Sequence, residues 1–157
     1  MIHECTWTEK SPVGFVAITA GDAGIRSVLL RSRSAPGAPC ATCRPVGEAL
    51  GRYFGGDGMA LERLTVDLAL ASGEFQRRVY ETLRGMAPPG STTTYGELAA
   101  ATGRPGAARA VGWAMAHNPV PIVVPCHRVL ASGGGLGGYG GGLDMKRFLL
   151  DIEGVQA

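Results

Sequence analysis

Residues 118–129, with the sequence NPVPIVVPCHRV, decide how the rest of the chain is interpreted. Prolines frame a short apolar run, so we predict an extended segment over residues 120–125 that delivers Cys126 at its end. His127 and Arg128 follow at once, and a cation beside a thiol lowers its pKa below the free value of about 8.5. A cysteine is more often a small buried hydrophobe, but this neighbourhood makes Cys126 the candidate nucleophile.

His127 is the candidate base for that thiol. Adjacent residues of an extended segment point to opposite sides, so His127 either acts through a water or meets Cys126 because the chain turns. A catalytic histidine is usually oriented by a third group. The carboxylates that follow could do this or could be surface charges: Asp144, Asp151 and Glu153.

Two short helices are predicted before this stretch. The first runs from Tyr95 to Ala100 behind a threonine cap and is broken at residues 103–105. The second spans about 106–117, is built mostly of alanine and glycine, and carries Arg109 as its long cationic side chain. Such a helix-turn-helix could pack tightly on a neighbouring helix. A less common use of such a face would be approach to the minor groove of DNA, with Arg109 filling the space that an extruded base leaves.

The remaining periodicity predicts an α+β protein. We expect a hairpin over 13–20 and 24–30, a helix over 46–54, a strand over 64–70 and an amphipathic helix from residue 73. The composition shift near residues 70–74 predicts two domains, 1–72 and 73–157.

Net charge is +2, which does not argue for nucleic acid by itself. With no signal peptide and no apolar run of membrane-spanning length, we expect a cytoplasmic protein without a membrane partner.

Two further segments leave alternatives open. The glycine-rich run 133–142 encloses Tyr139; it could be a flexible linker, but it more readily lets backbone approach a flat ligand. Cys40 and Cys43 form a single Cys-x-x-Cys pair, which is a weak metal signal even if His3 and Cys5 completed the set. We favour free surface thiols there.

The residues quoted first closely resemble the active-site run of the O6-alkylguanine-DNA alkyltransferases. The resemblance extends over roughly residues 73–154 and includes four further motifs: 94–99 (TYGELA), 107–112 (AARAVG), 138–142 (GYGGG) and 146–153. It implies an RNase H-like first subdomain and a mainly helical second domain with a helix-turn-helix. Gly140 departs from the pattern, because many members have a serine there whose hydroxyl helps bind the alkylated oxygen.

The resemblance also implies the role of each catalytic residue. Cys126 would accept the alkyl group irreversibly, His127 would take its proton through a water, and Glu153 would orient His127. Asn118 would brace the turn that holds the active site. Tyr95 would press against the target phosphate during base flipping and donate a hydrogen bond to guanine N3. No metal or cofactor would take part.

Further contacts are implied by the same resemblance. Arg109 would enter the duplex in place of the flipped base, and the other DNA contacts would be Ala108, Gly112, Met115 and Arg128. The substrate pocket would include Val129, Tyr139, Gly140 and Lys146. The partner would be double-stranded DNA with alkylated guanine, or with O4-alkylthymine, bound by a monomer, with cooperativity left open. Three alternatives remain: a damage-binding module without alkyl transfer, a Cys-His thiol hydrolase, and a sequence-specific helix-turn-helix regulator.

Overall fold

The computed structural model describes residues 5–32 and 40–156, with side chains described from Ser11 to Arg31 and from Cys40 onward. Within these residues the protein has a mixed α/β fold with five α-helices and two small sheets. The helices are Arg44–Phe54 (α1), Glu74–Met86 (α2), Tyr95–Ala101 (α3), Ala108–Ala116 (α4) and Leu143–Ile152 (α5). The strands are Cys5–Ser11 (β1), Gly14–Gly21 (β2), Gly24–Ser32 (β3), Thr93–Thr94 (β4) and Val129–Leu130 (β5).

The chain divides into two compact units, described separately below. One comprises Met1–Leu70 with Pro119–Val123, and the other comprises Ala71–Asn118 with Val124–Ala157. Residues 119–123, which we expected in the second domain, therefore group with the first unit. No helix among the described residues combines the length and apolar character needed to cross a membrane.

An antiparallel sheet in the order β1-β2-β3 forms the first unit's centre. Alternate residues of β2 are buried (Val16, Ile18 and Ala20), as expected for a strand with one face on a core. Gly24 begins β3 with φ of 127°, and a Cβ there would lie 2.5 Å from the carbonyl oxygen of Thr65. Only glycine fits this close approach. The hairpin prediction is confirmed, whereas β1 was not predicted.

The predicted strand over 64–70 is wrong. The structure has a single parallel bridge between Ile25 and Val66, followed by a 3-10 turn at Leu68–Leu70. The predicted extended segment 120–125 is wrong as well, because the chain turns there and Ile122 adopts a φ of 72°. Prolines remove the amide donors that a strand would need.

The two cysteines near α1 are not the free surface thiols that we expected. Cys43 is a free thiol but is completely buried, with its Sγ 3.7 Å from the carbonyl oxygen of Ile18. Cys40 is disulfide-bonded, and its Sγ accepts a hydrogen bond from the Cys43 amide. Cys43 is the N-cap residue of α1, whose first turn contains Pro45, and helix packing directs Cys43 inward as a small core residue.

Helices α2 to α4 form the framework of the second unit. α2 buries Val79, Tyr80 and Leu83 at helical spacing, which confirms an amphipathic helix from about residue 73. The Tyr80 hydroxyl donates to the carbonyl of Ala114 in α4 over 2.6 Å, and Gln76 Nε2 lies 2.5 Å from the same hydroxyl. These buried polar contacts fix the end of α4 against α2.

A capping box fixes the start of α3. Thr94 Oγ1 accepts from the Glu97 amide over 3.1 Å, and Glu97 Oε2 accepts from the Thr94 amide over 2.9 Å. Thr94 also ends β4, which pairs in parallel with β5 directly after Arg128. The sequence predicted the cap but not the strand pair, and this pair joins the beginning of α3 to the segment that carries Cys126.

Candidate active site

Cys126 is the first residue of a 3-10 turn, Cys126–Arg128. The Cys126 amide donates to the Val124 carbonyl over 2.8 Å, and the Arg128 amide donates to the Pro125 carbonyl over 2.9 Å. Asn118 Nδ2 also donates to the Val124 carbonyl, over 2.9 Å, so its side chain braces the residues that precede the thiol. The chain therefore turns at Cys126, but His127 Nδ1 makes no hydrogen bond to the thiol among the described residues.

The thiol environment corrects our expectation about its pKa. Cys126 is only 8% exposed, and burial raises the pKa of the thiol. Hydrogen bonds with Asn118 and Tyr139 and the charge of Lys146 act in the opposite direction without reversing the result. Arg128, two residues further on, does not offset this rise, because its guanidinium is bonded to Glu153 and to the Ala87 carbonyl. A thiol of this kind is protonated at rest and needs a base.

His127 and Glu153 form a buried pair behind the thiol. His127 Nε2 lies 3.0 Å and 3.1 Å from the two carboxylate oxygens of Glu153, and both side chains have no exposed surface. Burial by itself raises the pKa of the Glu153 carboxyl, but the hydrogen bonds and charges of His127 and Arg128 outweigh it and lower the pKa to about 2. Glu153 is therefore an acceptor only.

This pair determines which nitrogen of His127 can act as a base. Because an ionised carboxylate only accepts hydrogen bonds, Nε2 must carry the proton that it donates to Glu153. Burial lowers the pKa of His127, so the ring is neutral and Nδ1 keeps its lone pair. Nδ1 has no hydrogen-bond partner among the described residues. It is the free basic atom of the pair.

Arg128 was predicted to contact DNA, and this prediction is wrong. Its side chain is 2% exposed. Nε donates to both carboxylate oxygens of Glu153 over 2.9 Å and 3.1 Å, Nη2 donates to the same carboxylate, and Nη1 donates to the Ala87 carbonyl over 2.8 Å. A buried guanidinium requires such partners. Arg128 therefore anchors Glu153, and the 3-10 turn directs it inward.

Tyr95 faces the thiol from the start of α3. Its pKa is raised by burial and by the nearby Cys126, while a hydrogen bond with the Gly138 backbone opposes the rise. Gly137 packs directly on the same ring, because a Cβ there would lie 3.0 Å from the Tyr95 hydroxyl. The capping box and the β4–β5 pair hold Tyr95 in this position.

The glycine-rich run is held in place by Lys146 from α5. The ammonium group is completely buried and donates to the carbonyls of Val129, Leu136 and Gly138, at 2.7 Å for Val129 and 3.3 Å for Gly138. Burial lowers the pKa of Lys146. We expected Lys146 in the pocket wall, but it acts from behind by fixing the backbone that forms the wall.

These elements enclose a cavity of about 410 Å³ in the second unit. Six residues that we predicted for the site line it: Tyr95, Gly112, Met115, Cys126, Tyr139 and Gly140. Two lining residues were missed, Ala116 and Gly138. The backbone at Gly140 is open, since an added Cβ would meet no atom within 4 Å. The volume and the largely apolar wall suit a flat ring with its substituent directed at the thiol.

The remaining predicted residues do not line this cavity. Arg109 is exposed on α4, and Ala108 is half-buried at the start of the same helix. Val129 is buried at the beginning of β5. Two features were not predicted from the sequence: the exposed Trp113–His117 ring pair on α4 and the buried Gln76. A search of the described residues finds no group of three or more His, Cys, Asp or Glu side chains suited to a metal ion.

The chain is similar to known proteins over most of its length. Residues 74–155 match the family model described as 6-O-methylguanine DNA methyltransferase, DNA binding domain. The methylated-DNA--protein-cysteine methyltransferase of Mycolicibacterium paratuberculosis is 54% identical over 106 residues, which cover 68% of this chain and 62% of that protein. Its namesake from Methanosarcina acetivorans is 38% identical over 152 residues, covering 92% of this chain and 95% of that protein.

A solved structure shows the same fold. The crystal structure of Mycobacterium tuberculosis OGT in complex with DNA superposes with a TM-score of 0.76 at 38% identity, covering 93% of this chain and 90% of that one. The family model accounts for more than half of the residues, and the Methanosarcina relative aligns along nearly its whole length. This chain therefore belongs to the O6-methylguanine-DNA methyltransferase family.

Proposed function

We propose that this protein repairs DNA directly by moving an alkyl group from O6 of guanine to Sγ of Cys126, once per molecule. The observation that carries the proposal is a buried thiol in the wall of an apolar cavity, backed by a His127–Glu153 pair whose free nitrogen is basic. Relatives are named methylated-DNA--protein-cysteine methyltransferases, and a neighbouring structure is a DNA complex.

The proposed chemistry is a displacement at the alkyl carbon. His127 Nδ1 takes the Cys126 proton through a water, the thiolate forms a C–S bond, and the C–O6 bond of the substrate breaks. The electron pair of that bond stays on guanine, which gains the proton that the thiol lost. Because a thioether has no easy leaving group, the thiol is not regenerated and the protein acts stoichiometrically.

The cavity residues would hold the guanine during this step. The Tyr95 hydroxyl donates to guanine N3 and so stabilises the departing base. Tyr139 forms one wall, and the backbone at Gly140 bonds the alkylated oxygen in place of a serine hydroxyl. The carbonyls of Cys126 and Val129 accept from the guanine amino group. Val129 can do so although it already accepts from Lys146, because a carbonyl oxygen has two lone pairs.

Helices α3 and α4 would form the helix-turn-helix that engages the minor groove. α4 has Ala108, Gly112 and Met115 on or beside its small-residue face and Arg109 exposed. A base must leave the stack to reach a thiol in a cavity, and Arg109 would fill its former place. The strands β1–β3 followed by α1 support an RNase H-like first domain ending near residue 72. Monomeric state, cytoplasmic location, cooperativity and O4-alkylthymine repair stay predictions.

Intact-protein and peptide mass spectrometry after incubation with a duplex containing one O6-methylguanine tests the proposal. We expect one added methyl on the Cys126 peptide, saturating at one per protein, and none in Cys126→Ser. Lesion binding without methylation would favour a damage-recognition module. Turnover of an ester or peptide would favour a thiol hydrolase, and damage-independent binding to one sequence would favour a regulator.

A further inference from the structure

Trp113 is the one residue of α4 with a large apolar side chain left open to solvent. It is 48% exposed. Its ring stacks on that of His117, with centroids 4.0 Å apart and planes 17° from parallel. His117 Nδ1 lies 2.8 Å from the Trp113 carbonyl oxygen, so the histidine ring is tied to the helix that it covers. The two rings form a rigid aromatic surface at the end of α4.

The position of this surface on α4 relates it to the cavity. At 3.6 residues per turn, Trp113 lies one turn after Arg109 and about 40° around the helix from it. Gly112 and Ala116 line the cavity from the neighbouring strip of the same helix. The exposed face of α4 therefore runs from the cavity across Arg109 to the aromatic pair.

We infer that the Trp113–His117 pair is a contact surface for the DNA strand that flanks the nucleotide held in the cavity. This inference rests on the proposed function. A nucleotide in the cavity remains covalently joined to its neighbours. The exposed face of α4 adjoins the cavity at Gly112 and Ala116, so it is a surface that the flanking strand can reach.

The chemistry of that face suits such an occupant. The one charged residue of α4 is Arg109, a cation, so the helix presents no carboxylate to a polyanion. Aromatic side chains on nucleic-acid-binding surfaces pack against bases and sugars without regard to sequence. The stack on His117 holds the indole in one orientation before DNA arrives, which reduces the entropy lost on binding.

The test separates contact with the flanking strand from the chemistry at Cys126. Trp113→Ala, Trp113→Phe and His117→Ala are compared with Met86→Ala, which removes another exposed apolar side chain, at the end of α2. Each protein is assayed for affinity to a fluorescent duplex with one O6-methylguanine, and for its rate with free O6-benzylguanine, which has no flanking strand. Folding is checked by thermal unfolding.

We expect Trp113→Ala to weaken duplex binding roughly five- to tenfold, with less loss in Trp113→Phe and His117→Ala. Met86→Ala should match the parent protein, and all four should react with benzylguanine at about the parent rate. Unchanged duplex affinity in Trp113→Ala would overturn the inference, as would an equal loss on both substrates. If Trp113→Ala instead altered self-association alone, the pair would be a contact between copies. If Cys126 of the parent protein accepted an alkyl group from neither substrate, that result would count against the proposed function instead.

Discussion

Nε2 of His127 lies 3.0 Å from Oε1 of Glu153, and neither side chain has any exposed surface. This contact fixes the proton on Nε2 and leaves Nδ1 basic, because the carboxylate can only accept. The contact also makes two buried groups depend on each other for their charge states. Several properties of the protein should therefore respond to changes at this pair.

Glu153→Gln should slow alkyl transfer while leaving the thiol in place. The amide does not stabilise the imidazolium that forms when His127 takes the Cys126 proton, so we expect the rate with free benzylguanine to fall roughly 10²-fold. The rate is measured by Cys126 labelling in single-turnover conditions and is normalised to folded protein. Asp151→Asn, which changes an exposed carboxylate of α5, should react at the parent rate. An unchanged rate in Glu153→Gln would remove Glu153 from the mechanism.

Acidification should destabilise the protein in two steps. The pKa of His127 is lowered from 6.5 in the folded state, so below pH 6.5 protonation favours the unfolded chain. The pKa of Glu153 is lowered from 4.5 to about 2, so the stability that it contributes is present above pH 4.5 and is lost as the pH falls towards 2.

The Glu153 contribution is on the order of 3 kcal/mol, since each pKa unit corresponds to about 1.4 kcal/mol. Urea unfolding between pH 8 and pH 3 measures both steps. In Glu153→Gln, the free energy of unfolding should change less steeply with pH below pH 4.5 than it does in the parent protein. Identical slopes in the two proteins would show that another group governs acid unfolding.

Arg128→Gln should lower stability without changing how DNA binding depends on salt. The substitution leaves the Glu153 carboxylate and the Ala87 carbonyl short of donors, and breaking a buried ion pair typically costs about 3–5 kcal/mol. A phosphate contact would contribute about 0.9 to the slope of log affinity against log salt. We expect that slope to be unchanged in the folded fraction, and a decrease of about one would restore Arg128 to the DNA interface.

Arg128 also shows which features could not be predicted from the sequence. Local pattern predicted Cys126 as the candidate nucleophile and a threonine cap before Tyr95, because a cap or a turn depends on residues that are near in sequence. The role of Arg128 depends on Glu153, which is 25 positions away. Without that contact, a cation beside a thiol suggests that the thiol pKa is lowered and that the cation lies at the surface. In the structure, burial raises the pKa of Cys126, and Arg128 is itself buried. Residues 119–123 lie with the first unit for a similar reason, because the Pro119 carbonyl accepts from the distant Val28 amide.

Lys146→Met should reduce the reactivity of Cys126 by two routes. The charge of Lys146 lowers the pKa of the thiol, so its removal raises that pKa further and leaves less thiolate at any given pH. The carbonyls of Leu136 and Gly138 also lose their common donor, which frees the backbone of the cavity wall. We expect the pH midpoint for Cys126 alkylation by iodoacetamide to rise, and the rate with benzylguanine to fall by more than this shift explains. Arg147→Met, the exposed neighbour on α5, controls for loss of positive charge alone. If both variants behaved alike, the effect would be general electrostatics, and the specific role that we assign to Lys146 would be wrong.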